Sequence, residues 1–166
     1  MREKMGWSFD RLLRSQIGFF KRLTFYRKPI KALKTDLTTQ EKESIEAMMC
    51  GFGWVANSNM GRVPETDCIS IMVVTPIRIV MAAGELTTGI EYHEIANCFW
   101  IEGDFCLEAK EKEKELGIAG FRYEPISHNS DNWTEPRRAS FQELILQHVK
   151  ESSADGRMGN SLAHSE

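Results

Sequence analysis

The chain has 166 residues, 42% of them hydrophobic and 27% charged, with a formal net charge of −3, which is enough to bury a core without disulfide or metal staples. No stretch approaches the roughly 18 to 20 apolar residues of a membrane-spanning helix, so any membrane contact has to be peripheral. The mild average conceals an uneven distribution: residues 1–34 hold ten Lys/Arg against Glu3 and Asp10, a net +8, and the remainder holds 11 Lys/Arg against 22 Asp/Glu, a net −11.

The positive part is patterned. On a 3.6-residue period Phe9, Leu12, Leu13, Ile17, Phe20 and Leu23 share one face, with Phe19 at its edge, and Arg11, Arg14, Lys21 and Arg22 take the other. This predicts a basic amphipathic helix from about residue 9 to about residue 26. Ser8 is its N-cap, Gly18 costs about 1 kcal/mol of propensity, and Pro29 ends or kinks it near Lys28. With Arg27 and Lys28 added, these cations are the candidate partner- or anion-binding residues. The apolar face has three candidate covers: the chain's own core, an anionic membrane surface, or nucleic acid or an acidic protein.

Thr38 followed by Glu41 reads as a capping box, and Ile45, Met48 and Met49 continue an apolar stripe to Gly51, which predicts a helix over 39–50. Gly51-Phe52-Gly53 then reads as a turn into a short strand, and residues 57–67 as a loop. The isolated G-x-G lacks the strand, third glycine and helix of a dinucleotide fingerprint. Residues 68–74 and 77–82 are β-branched and apolar, separated by Thr75-Pro76, and predict an antiparallel hairpin. Residues 84–89 read as a connection, 90–101 is divided between short helix and strand, and Glu102-Gly103-Asp104 is a turn. The alternating charges of Glu108 to Glu115 predict a solvated helix, residues 118–123 a strand, and 125–133 a polar loop. A closing helix starts at Thr134-Glu135-Pro136 and carries Phe141, Leu144, Ile145, His148 and Val149 on one face. The small polar residues from Ser152 predict a frayed tail. The expected organisation is therefore an arm over 1–34, one globular domain over 35–151 and a flexible tail over 152–166. The expected class is α+β, with a mostly antiparallel sheet of four or five strands and helices on one face.

Candidate chemistry is sparse. Glu91, His93 and Glu94, with Asp104 and His128 as further neighbours, supply the carboxylate and imidazole that an acid/base or metal site needs, but not in the spacing of a helical zinc motif. Cys50, Cys68, Cys98 and Cys106 are separated by 17, 29 and 7 residues with no C-x-x-C pair and with apolar neighbours, the setting of buried thiols in a reducing compartment rather than of a zinc site or a Cys50–His nucleophile. Arg137-Arg138-Ala139-Ser140 resembles a basophilic kinase target, and Phe121, Tyr123 and Trp133 are aromatic enough for a stacking platform, though that spacing ordinarily lines a core. No metal or cofactor is expected. The sequence points first to a small cytoplasmic, non-enzymatic binding or regulatory protein working through a protein partner, with self-association also open. Second stands a peripheral binder of membrane or nucleic acid docked by the basic helix, and third a small enzyme centred on Glu91, His93 and Glu94.

Overall fold

In the computed structural model, which describes residues 8–57, 61–62, 68–101, 103–110, 118–123 and 133–161, the basic stretch folds as three helices instead of one: α1 (Phe9–Gln16), α2 (Phe19–Leu23) and α3 (Arg27–Asp36). The break falls at Ile17 and Gly18, whose backbones are extended. Glycine at this point withdraws the propensity that a continuous helix needs. Pro29 does not end a helix; it lies in the first turn of α3, where its missing N–H leaves no intrahelical bond unmade.

The predicted helix over 39–50 is also shorter. α4 (Thr39–Glu43) opens with the expected capping box: Thr38 Oγ1 accepts from the Glu41 N–H at 3.1 Å, and a Glu41 carboxylate oxygen accepts from the Thr38 N–H at 3.0 Å. From Ala47, however, the chain is strand β1 (Ala47–Asn57). Met48 and Met49 therefore point to opposite faces of a sheet and enter two separate cores, where a helix would have placed them side by side. Pairing on both edges of β1 outweighs the helical preference of methionine. Gly51 and Gly53 sit inside this doubly paired strand; a Cβ at Gly53 would come 2.8 Å from Ser70 Oγ, so this glycine permits close packing of neighbouring strands.

The remaining elements are β2 (Gly61–Arg62), β3 (Cys68–Val74), β4 (Arg78–Ala83), β5 (Leu86–Glu91), a 3₁₀ turn (Tyr92–Glu94), β6 (Ile95–Ile101), β7 (Asp104–Ala109), β8 (Ile118–Tyr123) and α5 (Glu135–Ser161). The hairpin at Thr75-Pro76 is as expected. Thr75 Oγ1 accepts from the N–H groups of Ile77 and Arg78 and donates to the Arg78 carbonyl, so the threonine side chain closes the turn that Pro76 starts. Glu108 and Ala109, expected to open a charged helix, end β7 instead, with Glu108 in register with Ile118; residues 111–115 of that segment lie outside the described residues. α5 runs on through Ser161, beyond the point at which the composition predicted a tail, because a helix anchored by its buried first half propagates at little cost.

The class is α+β, and among the described residues every strand pair is antiparallel. The sheet is larger than four or five strands: its order is β5-β4-β3-β1-β8-β7-β6, and β2 pairs with β1. The outermost strands of this order, β5 and β6, are joined by only the three-residue turn Tyr92–Glu94, so the sheet must curl until its two ends meet at that corner. Inside the curl, Met49, Met72, Val74 and Ile79 pack with Cys98, Phe105 and Leu107 under Trp133, which precedes α5, and under Phe141 and Ile145 of α5. The other face of β1, β3 and β4 presents Met48, Cys50, Ile71, Val73, Val80 and Ala82 to Phe9, Leu13 and Ile17 of the α1 segment and to Leu33 of α3. Helices thus cover both faces of the sheet.

One side chain ties the second helical layer to the sheet. Arg78, at the start of β4, donates to both oxygens of Glu41 at 2.8 and 3.2 Å, lies 3.1 Å from the Asp36 carboxylate, and donates to the Asp36 carbonyl at 3.3 Å. The absence of a side chain at Gly89 leaves it room, since a Cβ there would sit 2.7 Å from Arg78 Nη1. Glu41 is only 1% exposed, so removing the guanidinium strands a buried carboxylate. Arg78→Met is expected to lower unfolding free energy by about 3 kcal/mol, measured by urea denaturation at neutral pH. The hydrogen bond from Arg78 is the main cause that holds the Glu41 carboxyl below its ordinary value of 4.5. A depressed carboxyl stabilises fully above the unfolded value and loses its contribution as pH falls through the folded one. The gap between wild type and variant should therefore narrow once the pH drops below 4.5.

Candidate functional site

The apolar face predicted for the basic stretch divides at the Ile17-Gly18 break. Phe9, Leu13 and Ile17 are buried against the sheet and Leu12 is half-buried. Beyond the break, α2 buries none of its residues: Phe19 is 62% exposed, Phe20 80%, Leu23 56% and, just after the helix, Phe25 63%. Ile77, Leu86 and Ile101 are also exposed, but they stand singly on separate turns and strands, which is ordinary for a protein surface. Four large apolar side chains within seven residues are not ordinary.

The exposed turn is fixed at both ends. Ile17 before it and Tyr26 after it are buried in the same core, and the Tyr26 N–H donates to the Lys21 carbonyl at 2.9 Å, folding the chain back under α2. Phe19 and Phe20 meet edge to face with centroids 5.9 Å apart, and the Arg22 guanidinium lies 5.9 Å from the Phe19 ring centre. α2 is thus a ledge with an aromatic rim, held at both ends by buried residues.

Behind the rim lies a groove of about 850 Å³ between α1, α2 and α3. Its cationic walls are Arg14, Arg22, Arg27, Lys31 and Lys34, its apolar surface is Leu13, Phe19, Leu23 and Ile30, and its acid is Asp10, which faces Lys34 at 3.2 Å. Of the cations singled out in the sequence, Arg14, Arg22 and Arg27 come together here. Lys28 turns instead to Glu85 at 3.3 Å, an exposed pair of small worth, while Arg11 is exposed on α1 and Lys21 half-exposed on α2, neither lining the groove. Lys31, Lys34 and Phe25 were not singled out. The signal for the two lysines was present, since they lie four and seven residues after Arg27, the spacing of one helical face.

Glu91, His93 and Glu94 occur together at the 3₁₀ turn, with Glu91 and His93 on the surface. Glu91 and His93 are each 63% exposed and pair at 3.1 Å, and Glu94 turns back to accept from the Glu91 N–H at 3.1 Å, closing a capping box. Asp104 is buried at the start of β7, and His128 lies outside the described residues. Among the described residues no group of three or more His, Cys, Asp or Glu side chains is arranged to hold a metal ion.

A second polar cluster was not legible in the sequence. Buried His148 of α5 pairs through Nε2 with the Glu46 carboxylate and stacks on Tyr92 with ring centres 4.5 Å apart. The Tyr92 hydroxyl donates in turn to the Thr75 carbonyl, and burial, then the Glu46 charge, push its pKa upward. These contacts link α5, the 3₁₀ turn, the β3–β4 turn and the residue before β1, and serve as a structural tie. Trp133 is likewise buried, packed on Phe141 with Arg137 over its indole at 4.6 Å, and is no stacking platform; the side chains of Phe121 and Tyr123 lie outside those described. Ser140 is exposed on α5, two residues after Arg138.

No family model matches this sequence, and no curated protein matches it at a significant level.

Cys50, Cys98 and Cys106 are free and buried. Burial pushes the Cys98 thiol up to about 11, and burial with the Asp104 charge does the same for Cys106, the reverse of what a nucleophilic thiol needs. Native protein treated with a maleimide at pH 8 is expected to label Cys98 and Cys106 at least about tenfold more slowly than urea-unfolded protein, as read by peptide mass spectrometry.

Proposed function

We propose that this chain is a non-enzymatic binding protein that docks on an anionic membrane surface through α2 and the cations around it. The observation that carries the reading is the coincidence, on one fixed turn, of Phe19, Phe20, Leu23 and Phe25 exposed to solvent with Arg14, Arg22, Arg27 and Lys31 beside them. Aromatic and leucine side chains enter the headgroup boundary, and each Lys/Arg near such a surface adds about 1 kcal/mol. The acidic remainder of the chain is repelled by the same surface, so the charge distribution also orients the protein with α2 toward the lipid. Among the described residues no helix is long and apolar enough to cross a membrane, which fits in-plane contact. The buried free thiols support placing this contact on the cytoplasmic side.

A protein partner with an acidic, apolar surface answers to the same chemistry, and the test separates the two. Wild-type protein is expected to co-sediment with phosphatidylcholine vesicles doped with phosphatidylserine, and to be released as salt rises. The double variant Phe20→Ser/Leu23→Ser is expected to bind at least about tenfold more weakly. Its unfolding free energy should stay within about 0.5 kcal/mol of wild type, because both side chains are exposed. Failure of the wild-type protein to bind any such vesicle would sink the membrane reading and return the ledge to a protein partner.

A further inference from the structure

We infer that the groove behind α2 is a site for the headgroup of a single phosphomonoester lipid, an inference that rests on the membrane reading and sharpens it from a general attraction to a specific one. General attraction needs only exposed cations in any arrangement. Here three arginines, Arg14, Arg22 and Arg27, reach one cavity from three different helices, and Lys31 and Lys34 extend the positive wall along α3. Asp10, the acid of the cavity, is already engaged by Lys34. Arg14, Arg27 and Lys31 have no carboxylate partner among the described residues. The cavity therefore holds more positive charge than a single-charge headgroup satisfies.

A phosphate monoester fits that demand. Near neutral pH it carries about −1.5 to −2 charges and three strong acceptor oxygens, and guanidinium forks pair with such oxygens in the strongest class of protein hydrogen bond. The apolar part of the lining selects a lipid over a soluble phosphate. Leu13, Phe19, Leu23 and Ile30 offer the glycerol and first acyl carbons an apolar contact beside the charged wall, and Phe19 and Leu23 continue outward into the exposed rim. The volume of about 850 Å³ is within the usual range of a small-ligand site, about 300 to 1,000 Å³. The ledge thus inserts while the groove behind it reads the phosphate.

The test compares full-length protein on two vesicle populations, phosphatidylcholine doped with phosphatidic acid and phosphatidylcholine doped with phosphatidylserine, adjusted to the same zeta potential. Affinity for the phosphatidic acid vesicles is expected to be about tenfold higher, the worth of one charge-assisted pair. Arg14→Gln/Arg27→Gln should abolish that preference, whereas Lys42→Gln/Lys150→Gln, which removes the same charge from outside the groove, should keep it. Thermal unfolding of both variants checks that they are folded. Equal affinity for the two populations at equal potential would overturn the groove site while leaving the membrane reading standing. No vesicle binding at all would instead remove that reading. If millimolar inorganic phosphate erases the preference, the groove takes free phosphate and the lipid assignment is overturned; an unchanged preference in its presence supports the lipid.

Discussion

The guanidinium of Arg78 is the constraint on which the outer helical layer depends. It emerges from β4 and takes hold of Glu41 in α4 and of both the carboxylate and the carbonyl of Asp36 at the end of α3. α3 carries Arg27, Lys31 and Lys34 into the groove, so the cationic wall is positioned by a hydrogen-bonded ion pair anchored in the sheet. The pair is well supplied: Glu41 also receives the Thr38 N–H, which leaves its carboxylate no unsatisfied demand on the buried side. Its hydrogen bond with Glu41 is in turn the main reason that the Arg78 pKa is raised.

Around that clamp the two cores have different tasks. The inner one, in the curl of the sheet, is rich in large aromatic contacts: Phe105 on Phe141, Trp133 on Phe141 and Trp100 on Phe105. It secures α5 and hence the corner at which the sheet ends meet. The outer one is aliphatic apart from Phe9 and Tyr26 and secures α1 and α3. Because β1, β3 and β4 alternate residues between the two cores, a change at Met48 is felt by the basic helices and a change at Met49 by α5.

How much of this was legible depended on how local each signal was. The capping box at Thr38 and Glu41, the hairpin at Thr75-Pro76, the strand at 118–123 and the start of the last helix are specified within a few residues, and each forms as predicted. The helix predicted over 39–50 gives way to a strand at Ala47: Ile45, Met48 and Met49 have helical spacing, and only the partners on both edges of β1 reveal a strand. Likewise one helix over 9–26 follows from periodicity, yet Gly18 with the buried anchors Ile17 and Tyr26 makes two helices of it and turns Phe20 outward. Arg14, Arg22 and Arg27 are legible as cations but not as walls of one groove, since α1, α2 and α3 are brought together by the burial of Leu13, Ile17, Tyr26 and Leu33. The Arg78–Glu41 and His148–Glu46 pairs join residues 37 and 102 positions apart, a distance at which a single sequence carries no pairing information.

The fastening of α2 at Ile17 and Tyr26 bears on the kinetics of the proposed membrane docking. A one-turn helix of five residues is unstable in isolation, since nucleation fixes several dihedrals for a single hydrogen bond. A loose peptide of this sequence would have to organise itself on the bilayer and surrender part of its binding energy to that ordering. Here the ordering is completed when the domain folds, so in the proposed membrane docking an encounter with lipid would require only the right approach angle, which the lopsided charge favours.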